Sequence, residues 1–149
     1  DRVNKIREVM PHACIGVDVI VGFPGETEAD FEETYAFISS LDVSYLHVFT
    51  YSERDNTPAA TMAEIIPVEE RRRRNALLTS LSEQKRMTFY NQHLGQSRPI
   101  LFEKSKTSGK MSGFTDNYIK IETKWQEESL NFIENRPLLR INKAGLVDC

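Results

Sequence analysis

The feature that most constrains the fold is a short apolar run that leads directly into a glycine-rich turn and a helix start. Residues 15–21 are mostly apolar and β-branched, and Gly22-Phe23-Pro24-Gly25 follows without a spacer. Thr27 stands three residues before Asp30, which is the spacing of a capped helix N-terminus. This order predicts a buried strand, a tight turn at its carboxyl end and a helix.

The turn is suited to a small ligand. Gly22 and Gly25 can adopt a positive φ and leave the main chain open to close approach, while Pro24 stiffens the turn between them. Bare backbone N–H groups at such a turn, and at the helix start behind it, can bind a ligand. The residues alone leave two interpretations open, a small-molecule site or an ordinary βα loop that needs glycine to turn tightly.

A second strand is predicted at residues 43–50, after a helix with one apolar face formed by Phe31, Tyr35, Ile38 and Leu41. This strand–helix–strand unit is long enough for a right-handed parallel crossover, in a (β/α) barrel or in an open α/β sheet. His47 falls in the middle of the second strand, where a packed core histidine is a more common role than catalysis.

Charge is divided unevenly along the chain. Residues 1–66 contain 4 Lys or Arg against 12 Asp or Glu, a net charge of −8, whereas residues 67–149 contain 15 against 10, a net charge of +5. A basic second half favours contact with a polyanion such as RNA, although chance scatter of surface charge would give similar numbers.

A long helix is predicted at residues 67–94, between Pro67 and Gly95. It contains four consecutive arginines, Arg71 to Arg74, which fan around the helix and cannot all face one partner. We expect some of them to pair with the acidic first half and others to reach RNA, and a solvated position is the more common role for any single one.

The period of the apolar pattern changes to two after residue 95. Short strands are predicted at residues 99–104, 118–124 and 137–142, with turns at 107–109, 113, 116–117 and 143–145. About five short strands in such a length fit a small OB-like β-barrel.

The cysteine pattern excludes a metal cluster within the sequence. Cys14 and Cys149 stand at opposite ends of the chain and form no metal-ligand spacing, and Cys14 is expected to be a free, buried thiol. A free thiol is typical of a cytoplasmic protein, so a cytoplasmic location is expected. No apolar run reaches the ~20 residues of a membrane helix, so no membrane partner is expected. The chain begins with Asp1 and enters the strand pattern midway, which is typical of a fragment.

Three segments resemble parts of one enzyme family. Residues 22–27, Gly-Phe-Pro-Gly-Glu-Thr, resemble the fifth-strand segment that lines the cofactor pocket of radical S-adenosylmethionine (SAM) enzymes. Residues 51–59 resemble the Tyr-Ser-x-Arg-x-Gly-Thr-x-Ala segment of methylthiotransferases, with Asn56 in place of the glycine, which asparagine can replace in a left-handed turn. Residues 101–104 and 113–118 resemble the TRAM domain, a small RNA-binding barrel, and this similarity fades after Trp125.

The resemblance implies an α/β fold in which residues 1–66 are the C-terminal part of a radical-SAM (β/α) barrel. Residues 67–94 would be a linking helix and residues 95–149 a TRAM domain. The implied cofactor-binding residues are Gly22, Phe23, Pro24, Gly25, Glu26 and Arg54, and the implied RNA-binding residues are Lys104, Lys106, Lys110, Phe114, Tyr118 and Lys120.

Two of these roles have alternatives in the sequence. Arg54 would hold the SAM carboxylate, or it would form a surface salt bridge with Glu53 or Asp55. Glu26 would contact the SAM amino group, or its charge would only favour the helix start.

The best match is the tRNA branch that methylthiolates C2 of N6-threonylcarbamoyladenosine next to the anticodon. That activity implies SAM, tRNA and 4Fe–4S clusters, and the clusters would be held by cysteines outside this chain, which alone is expected to be inactive. A ribosomal-protein methylthiotransferase and a non-catalytic RNA-binding module are the alternatives, and the oligomeric state is open.

Overall fold

The computed structural model describes residues 2–105 and 109–149, and these form two compact units. The described residues of the first unit are 2–11 and 15–86, and those of the second are 12–14, 87–105 and 109–149. The boundary falls inside one long helix, so that helix contributes to both units. No helix in the described ranges is long and apolar enough to cross a membrane.

The first unit is an α/β structure around two parallel strands. Its elements are α1 (Arg2–Val9), β1 (Gly16–Val21), α2 (Glu28–Ser40), β2 (Tyr45–Thr50), a 3-10 turn (Pro58–Thr61) and most of α3 (Val68–His93). β1 and β2 pair in register from Gly16 opposite Tyr45 to Val21 opposite Thr50. The predicted strands, their parallel pairing and the capped helix between them are confirmed, but β1 is exposed on one face and not buried on both as predicted.

The two faces of this small sheet differ. One face packs on α2 and α3, and the buried residues there are Val21, Phe31, Ile38, Val43, Leu46, Leu78 and Leu81. The opposite face is exposed and carries Asp18, Ile20, His47 and Phe49. The expectation that His47 is a packed core histidine is therefore wrong, because its position in the strand alternation directs it to the exposed face.

The second unit is built on a six-stranded sheet in the order β6-β3-β4-β5-β8-β7. Its strands are β3 (Ser97–Lys104), β4 (Lys110–Thr115), β5 (Lys120–Lys124), β6 (Ile133–Pro137), β7 (Arg140–Ile141) and β8 (Val147–Asp148). Neighbours are antiparallel except β5 and β8. The core includes Phe89, Tyr90, Ile100, Phe102, Met111, Ile119, Ile121, Leu138 and Val147.

Several predicted strand boundaries in this unit are wrong. The predicted strand at residues 137–142 is interrupted, because the backbone of Leu138 bonds to Gly95 and Gln96 between β6 and β7. β5 begins only at Lys120, since Tyr118 has a φ of 62° that an extended strand does not allow. Gly113, predicted as a turn, lies inside β4.

Candidate functional site

The glycine turn after β1 is a tight, internally bonded structure. The Glu26 N–H donates to the Phe23 carbonyl oxygen at 3.0 Å, and the Gly25 N–H donates to the Glu64 carbonyl oxygen at 3.1 Å. Proline at the second position and Gly25, with a φ of 87°, at the third are the features of a type II turn.

The N–H groups of this turn are already used within the first unit. Besides the donors at Gly25 and Glu26, the Gly22 N–H donates to Glu26 Oε2 at 2.6 Å, and the Thr27 N–H donates to Asp30 Oδ2 at 2.9 Å. Of the two interpretations that the sequence left open, the one in which the turn presents bare N–H groups to a ligand is therefore wrong for these four residues. Their role is to fix the shape of the turn.

The helix start behind the turn has the predicted cap. Thr27 Oγ1 accepts a hydrogen bond from the Asp30 N–H at 3.2 Å, and the Asp30 carboxylate accepts from the Thr27 N–H and hydroxyl. These hydrogen bonds from Thr27 lower the pKa of Asp30. The capping box thus gives hydrogen-bond acceptors to the backbone N–H groups of Thr27 and Asp30 at the N-terminus of α2.

The segment after β2 lies beside the turn. The Tyr51 N–H donates to the Val21 carbonyl oxygen at 2.9 Å, which continues the pairing of the two strands. The rings of Phe23 and Tyr51 make an edge contact with centroids 5.3 Å apart. Asn56 has a φ of 63°, so asparagine does adopt the left-handed conformation inferred at this position. The glycine turn and the segment after β2 thus lie together at the carboxyl ends of the two parallel strands.

A cavity of about 380 Å³ opens at this edge. It is lined by Ile20, Phe49, Thr50, Tyr51, Ser52, Arg54, Thr57 and Ala59. The Tyr51 hydroxyl oxygen is buried and has no hydrogen-bond partner among the described residues. An unpaired buried hydroxyl is costly, so it indicates a position that a ligand or a water molecule satisfies.

Arg54 is the cationic side chain of the cavity lining. The salt bridge with Glu53 that the sequence allowed is not formed, because Glu53 Oε1 accepts from Arg71 at 2.5 Å. That hydrogen bond lowers the pKa of Glu53. Within residues 2–105 and 109–149, Arg54 has no ion-pair partner. An apolar floor of Ile20 and Phe49 beside an unpaired guanidinium suits a ligand that has both an apolar ring and an anionic group.

The arginine run on α3 is only partly solvated. Arg71 and Arg74 are buried, whereas the Arg72 side chain is 70% exposed and pairs with Glu69. The general expectation of a solvated position is wrong for the two buried arginines, and the expected pairing with acidic residues of the first half is confirmed. The sequence did not predict the burial of Arg71 and Arg74 or the position of Tyr51 in the cavity lining, although Tyr51 stands in the segment that carried the family resemblance.

Three of the six predicted RNA-binding residues, Phe114, Tyr118 and Lys120, are exposed and lie near one another. Phe114 and Tyr118 are 42% and 71% exposed, and their ring centroids are 6.3 Å apart. Lys120 is opposite Phe114 in the β4–β5 register. Tyr118 is therefore not a half-buried part of the sheet and is accessible to a partner.

The remaining predicted lysines are more dispersed. Lys104 ends β3 and is exposed, whereas Lys110 pairs with Glu122. Lys106 lies outside the described residues. Lys110 also lines a second cavity, of about 550 Å³, in which Arg140 and Asp148 form another ion pair at 2.9 Å. The cations of that cavity are thus largely balanced by carboxylates.

The two cysteines belong to the second unit and pack against its core. Neither forms a disulfide, and Cys14 is partly rather than fully buried. Burial raises the pKa of the Cys149 thiol. Among the described residues there is no group of His, Cys, Asp or Glu side chains that could hold a metal ion.

Comparison with known proteins places the chain beside tRNA-modifying enzymes. It is 38% identical over 149 residues to the threonylcarbamoyladenosine tRNA methylthiotransferase MtaB of Bacillus subtilis. That alignment covers 97% of this chain and 32% of the Bacillus protein. It is 38% identical to the MtaB of Aquifex aeolicus over 85% of this chain and 30% of that protein. A tRNA-2-methylthio-N(6)-dimethylallyladenosine synthase of Nitratiruptor is 35% identical over 97% of this chain and 33% of that protein.

These alignments confirm the resemblance to tRNA methylthiotransferases. The chain spans about a third of the length of the relatives it matches. No family model matches the sequence.

Proposed function

Because the chain is homologous over almost its whole length to tRNA methylthiotransferases, we propose that it is part of an enzyme that methylthiolates C2 of N6-threonylcarbamoyladenosine next to the anticodon. The names of the Bacillus and Aquifex relatives support this nucleoside, whereas the Nitratiruptor relative is named for the dimethylallyl nucleoside. We assign residues 1–66 to part of a radical-SAM barrel, residues 67–94 to a linking helix and residues 95–149 to a TRAM domain.

The observation that carries this proposal is a cavity lined by the Tyr51–Arg54 segment, which the glycine turn contacts through the rings of Phe23 and Tyr51. The lining fits SAM: Ile20 and Phe49 can pack on the adenine, and the unpaired Arg54 can bind the carboxylate. In our proposal Gly22 to Gly25 shape the rim, and Glu26 faces the amino group. Bound SAM would supply the methyl group and the radical chemistry of the family.

The iron–sulfur clusters of the family do not fit the residues present in this chain. A cluster of this kind is held by closely spaced cysteine thiolates, and the only two cysteines are Cys14 and Cys149. We therefore propose that the clusters are held by residues outside this sequence and that the chain alone cleaves no SAM.

For the second unit we propose contact with tRNA through Phe114, Tyr118 and the nearby lysines. Two exposed aromatic rings at 6.3 Å, next to Lys120, suit base stacking with a phosphate contact beside it. Lys104 and Lys110 are included in the proposed contact set, as is Lys106.

The SAM site is tested with Arg54→Ala in the whole, cluster-loaded protein. Loss of a charge-assisted pair should weaken SAM binding by roughly 1.5–3 kcal/mol and leave tRNA affinity unchanged. Arg72→Ala is the matched control, because Arg72 is exposed and pairs only with Glu69 among the residues that the structure describes. SAM affinity is measured by equilibrium dialysis. Equal affinity in the parent protein and in Arg54→Ala would show that Arg54 does not bind SAM.

The RNA surface is tested with Phe114→Ala and Tyr118→Ala. Each should cost about 1–3 kcal/mol of tRNA affinity if it stacks a base. Phe37→Ala is the control, since Phe37 is an aromatic residue on α2 whose exposure, 62%, lies between those of Phe114 and Tyr118. Unchanged affinity in both test variants would assign the two rings to a different partner.

The nucleoside itself is tested in cells that lack the gene. Mass spectrometry of their tRNA should show loss of 2-methylthio-N6-threonylcarbamoyladenosine and accumulation of its precursor. An intact tRNA profile with an altered ribosomal protein would favour the alternative methylthiotransferase.

A further inference from the structure

We propose that Arg71 and Arg74 are positioning residues on one turn of α3 that hold two segments in place: the loop segment that lines the 380 Å³ cavity, and the turn segment that contacts it through Phe23 and Tyr51. The turn segment is residues 22–26, and the loop segment is residues 51–54. The part of this proposal that concerns ligand affinity rests on the proposed SAM site, whereas the part that concerns the order of the two segments does not.

Arg74 holds the turn segment. Its guanidinium Nη1 donates to the Glu26 carbonyl oxygen at 2.9 Å and to Glu26 Oε2 at 2.6 Å, and Nη2 donates to Glu28 Oε2 at 3.2 Å. Nε donates to Glu70 Oε1 at 2.8 Å. The side chain is only 4% exposed, so these bonds are made away from bulk water.

The bonds of Arg74 extend to the first residue of the turn. Glu26 Oε2 accepts from Arg74 and also from the Gly22 N–H, at 2.6 Å in each case. The carboxylate therefore joins the arginine to both ends of the turn segment. If the guanidinium is removed, Glu26 loses its buried counter-charge and this link is no longer fixed.

Arg71 holds the loop segment. Its Nη1 donates to the Tyr51 carbonyl oxygen at 3.1 Å, Nη2 donates to Glu53 Oε1 at 2.5 Å, and Nε donates to the Ile66 carbonyl oxygen at 2.7 Å. Its guanidinium carbon also lies 5.5 Å from the centroid of the Tyr51 ring. Two of its three hydrogen bonds thus end on the segment that lines the cavity.

Arg71 also contacts the turn segment through its aliphatic carbons. A Cβ on Gly22 would overlap Cγ of Arg71 and would lie 3.0 Å from Cδ, so the arginine occupies the space that any other residue would need. Arg71 and Arg74 together contact both the turn segment and the loop segment. The two arginines between them in sequence form their ion pairs outside both segments. Arg72 pairs with Glu69, and Arg73 pairs with Glu28 and Glu70.

A guanidinium suits this role better than another cation would. Its planar fork presents several donors at fixed angles, and each arginine uses three nitrogen atoms toward different acceptors. A lysine ammonium at either position retains the charge but cannot reproduce the set of directions. Arg74→Lys and Arg71→Lys therefore separate orientation from charge.

The first experiment measures hydrogen exchange in the whole protein by mass spectrometry. Arg74→Met should speed amide exchange in residues 22–26 by about tenfold or more, and Arg71→Met should do so at the Tyr51 amide of the loop segment, which donates to Val21, because lost anchoring lets each segment open locally. Arg74→Lys and Arg71→Lys are milder variants that should show the same pattern to a smaller extent. Unchanged exchange in both segments in all four variants would overturn the proposal.

Two controls separate positioning from general loss of stability. Arg72→Met removes an exposed arginine from the same helix turn and should leave both segments unchanged. Ile38→Val removes one buried methyl group from the core of the first unit and lowers stability without touching either segment. Faster exchange of residues 22–26 and 51–54 in Ile38→Val, equal to that in the arginine variants, would refute a specific positioning role.

The second experiment measures the dissociation constant of SAM in the cluster-loaded protein. Arg71→Met and Arg74→Met should raise it by about tenfold or more, whereas Arg72→Met and Ile38→Val should change it less than about twofold. If the unaltered protein itself binds no SAM, the proposed function fails, and the exchange data alone then decide whether the two arginines position these segments. If SAM binds with equal affinity to all variants, the arginines do not position the site.

Discussion

Replacing Gly22 with alanine should destabilise the chain more than the same replacement at Gly25. Both glycines have a strongly positive φ, 78° and 87°, so an alanine at either position meets the same backbone penalty of about 1–2 kcal/mol. The surroundings differ. The alanine Cβ at position 22 would overlap Arg71 Cγ, whereas at position 25 its nearest neighbour is Glu64 Oε2 at 3.7 Å, an ordinary contact.

The difference in stability between the two variants depends on the hydrogen bonds of Arg71 that an alanine at position 22 would break. Its side chain is 5% exposed and makes three hydrogen bonds, so it cannot move aside without breaking at least one of them. A hydrogen bond that involves a charged group contributes about 1.5–3 kcal/mol. We expect Gly22→Ala to cost about 2.5–5 kcal/mol in the free energy of unfolding and Gly25→Ala to cost about 1–2 kcal/mol.

The assay is urea unfolding of the two variants and the parent chain, followed by far-ultraviolet circular dichroism. Trp125 is the single tryptophan and belongs to the second unit, so its fluorescence reports whether the effect remains in the first unit. Equal losses of stability in Gly22→Ala and Gly25→Ala would show that Arg71 does not require a glycine at position 22. The proposed steric conflict between Arg71 and a side chain at position 22 would then be refuted.

Two further predictions concern groups near the same turn. Thr27→Ala removes the side-chain cap of α2 and should cost about 1 kcal/mol in urea unfolding, whereas Thr27→Ser should restore most of it. Hydrogen bonds from Arg73 and Arg74 lower the pKa of Glu70 from 4.5 to about 2, so its contribution to stability is complete above pH 4.5 and is lost as the pH falls toward 2. Glu70→Gln should therefore be less stable than the parent chain at neutral pH and should lose less stability over that acid interval. Parallel stability–pH curves for the two proteins would contradict this.

The elements that the sequence predicted correctly are those set by neighbouring residues. The capping box of Thr27 and Asp30, the strand before Gly22 and the long helix ending near Gly95 all depend on contacts within a few positions. The parallel pairing of β1 and β2 was also predicted, because a crossover of that length has few alternatives. Local rules therefore located the edge of the sheet that carries the cavity.

The features that the sequence could not show depend on partners far along the chain. The Glu64 carbonyl oxygen accepts a hydrogen bond from the Gly25 N–H, and Arg74 holds the carboxylate of Glu26. The donor groups of the turn are therefore bonded within the chain and are not presented to a ligand. The burial of two arginines in a run of four likewise depends on distant acidic and carbonyl groups. Helical spacing shows that the four cannot share one face, but it does not show which of them point inward.

The positive charge of residues 67–149 is divided between the two units, because α3 belongs to both. The net charge of +5 after residue 66 includes arginines of α3 that belong to the first unit and are paired there with glutamates. Counted by unit, residues 1–11 and 15–86 contain 10 Lys or Arg against 15 Asp or Glu, a net charge of −5, and the second unit contains 9 against 7, a net charge of +2.

So small an excess cannot supply strong non-specific attraction to a polyanion. The RNA proposal therefore depends on the local placement of Phe114, Tyr118 and Lys120 and not on overall charge. Each phosphate contact to a single strand contributes a slope of about −0.7 to the log–log dependence of affinity on salt. Contacts from Lys104, Lys110 and Lys120 alone would give a slope of about −2, and stacking would make up the rest of the affinity. A much steeper slope for this surface, with no loss in Phe114→Ala, would mean that charge and not stacking holds the RNA.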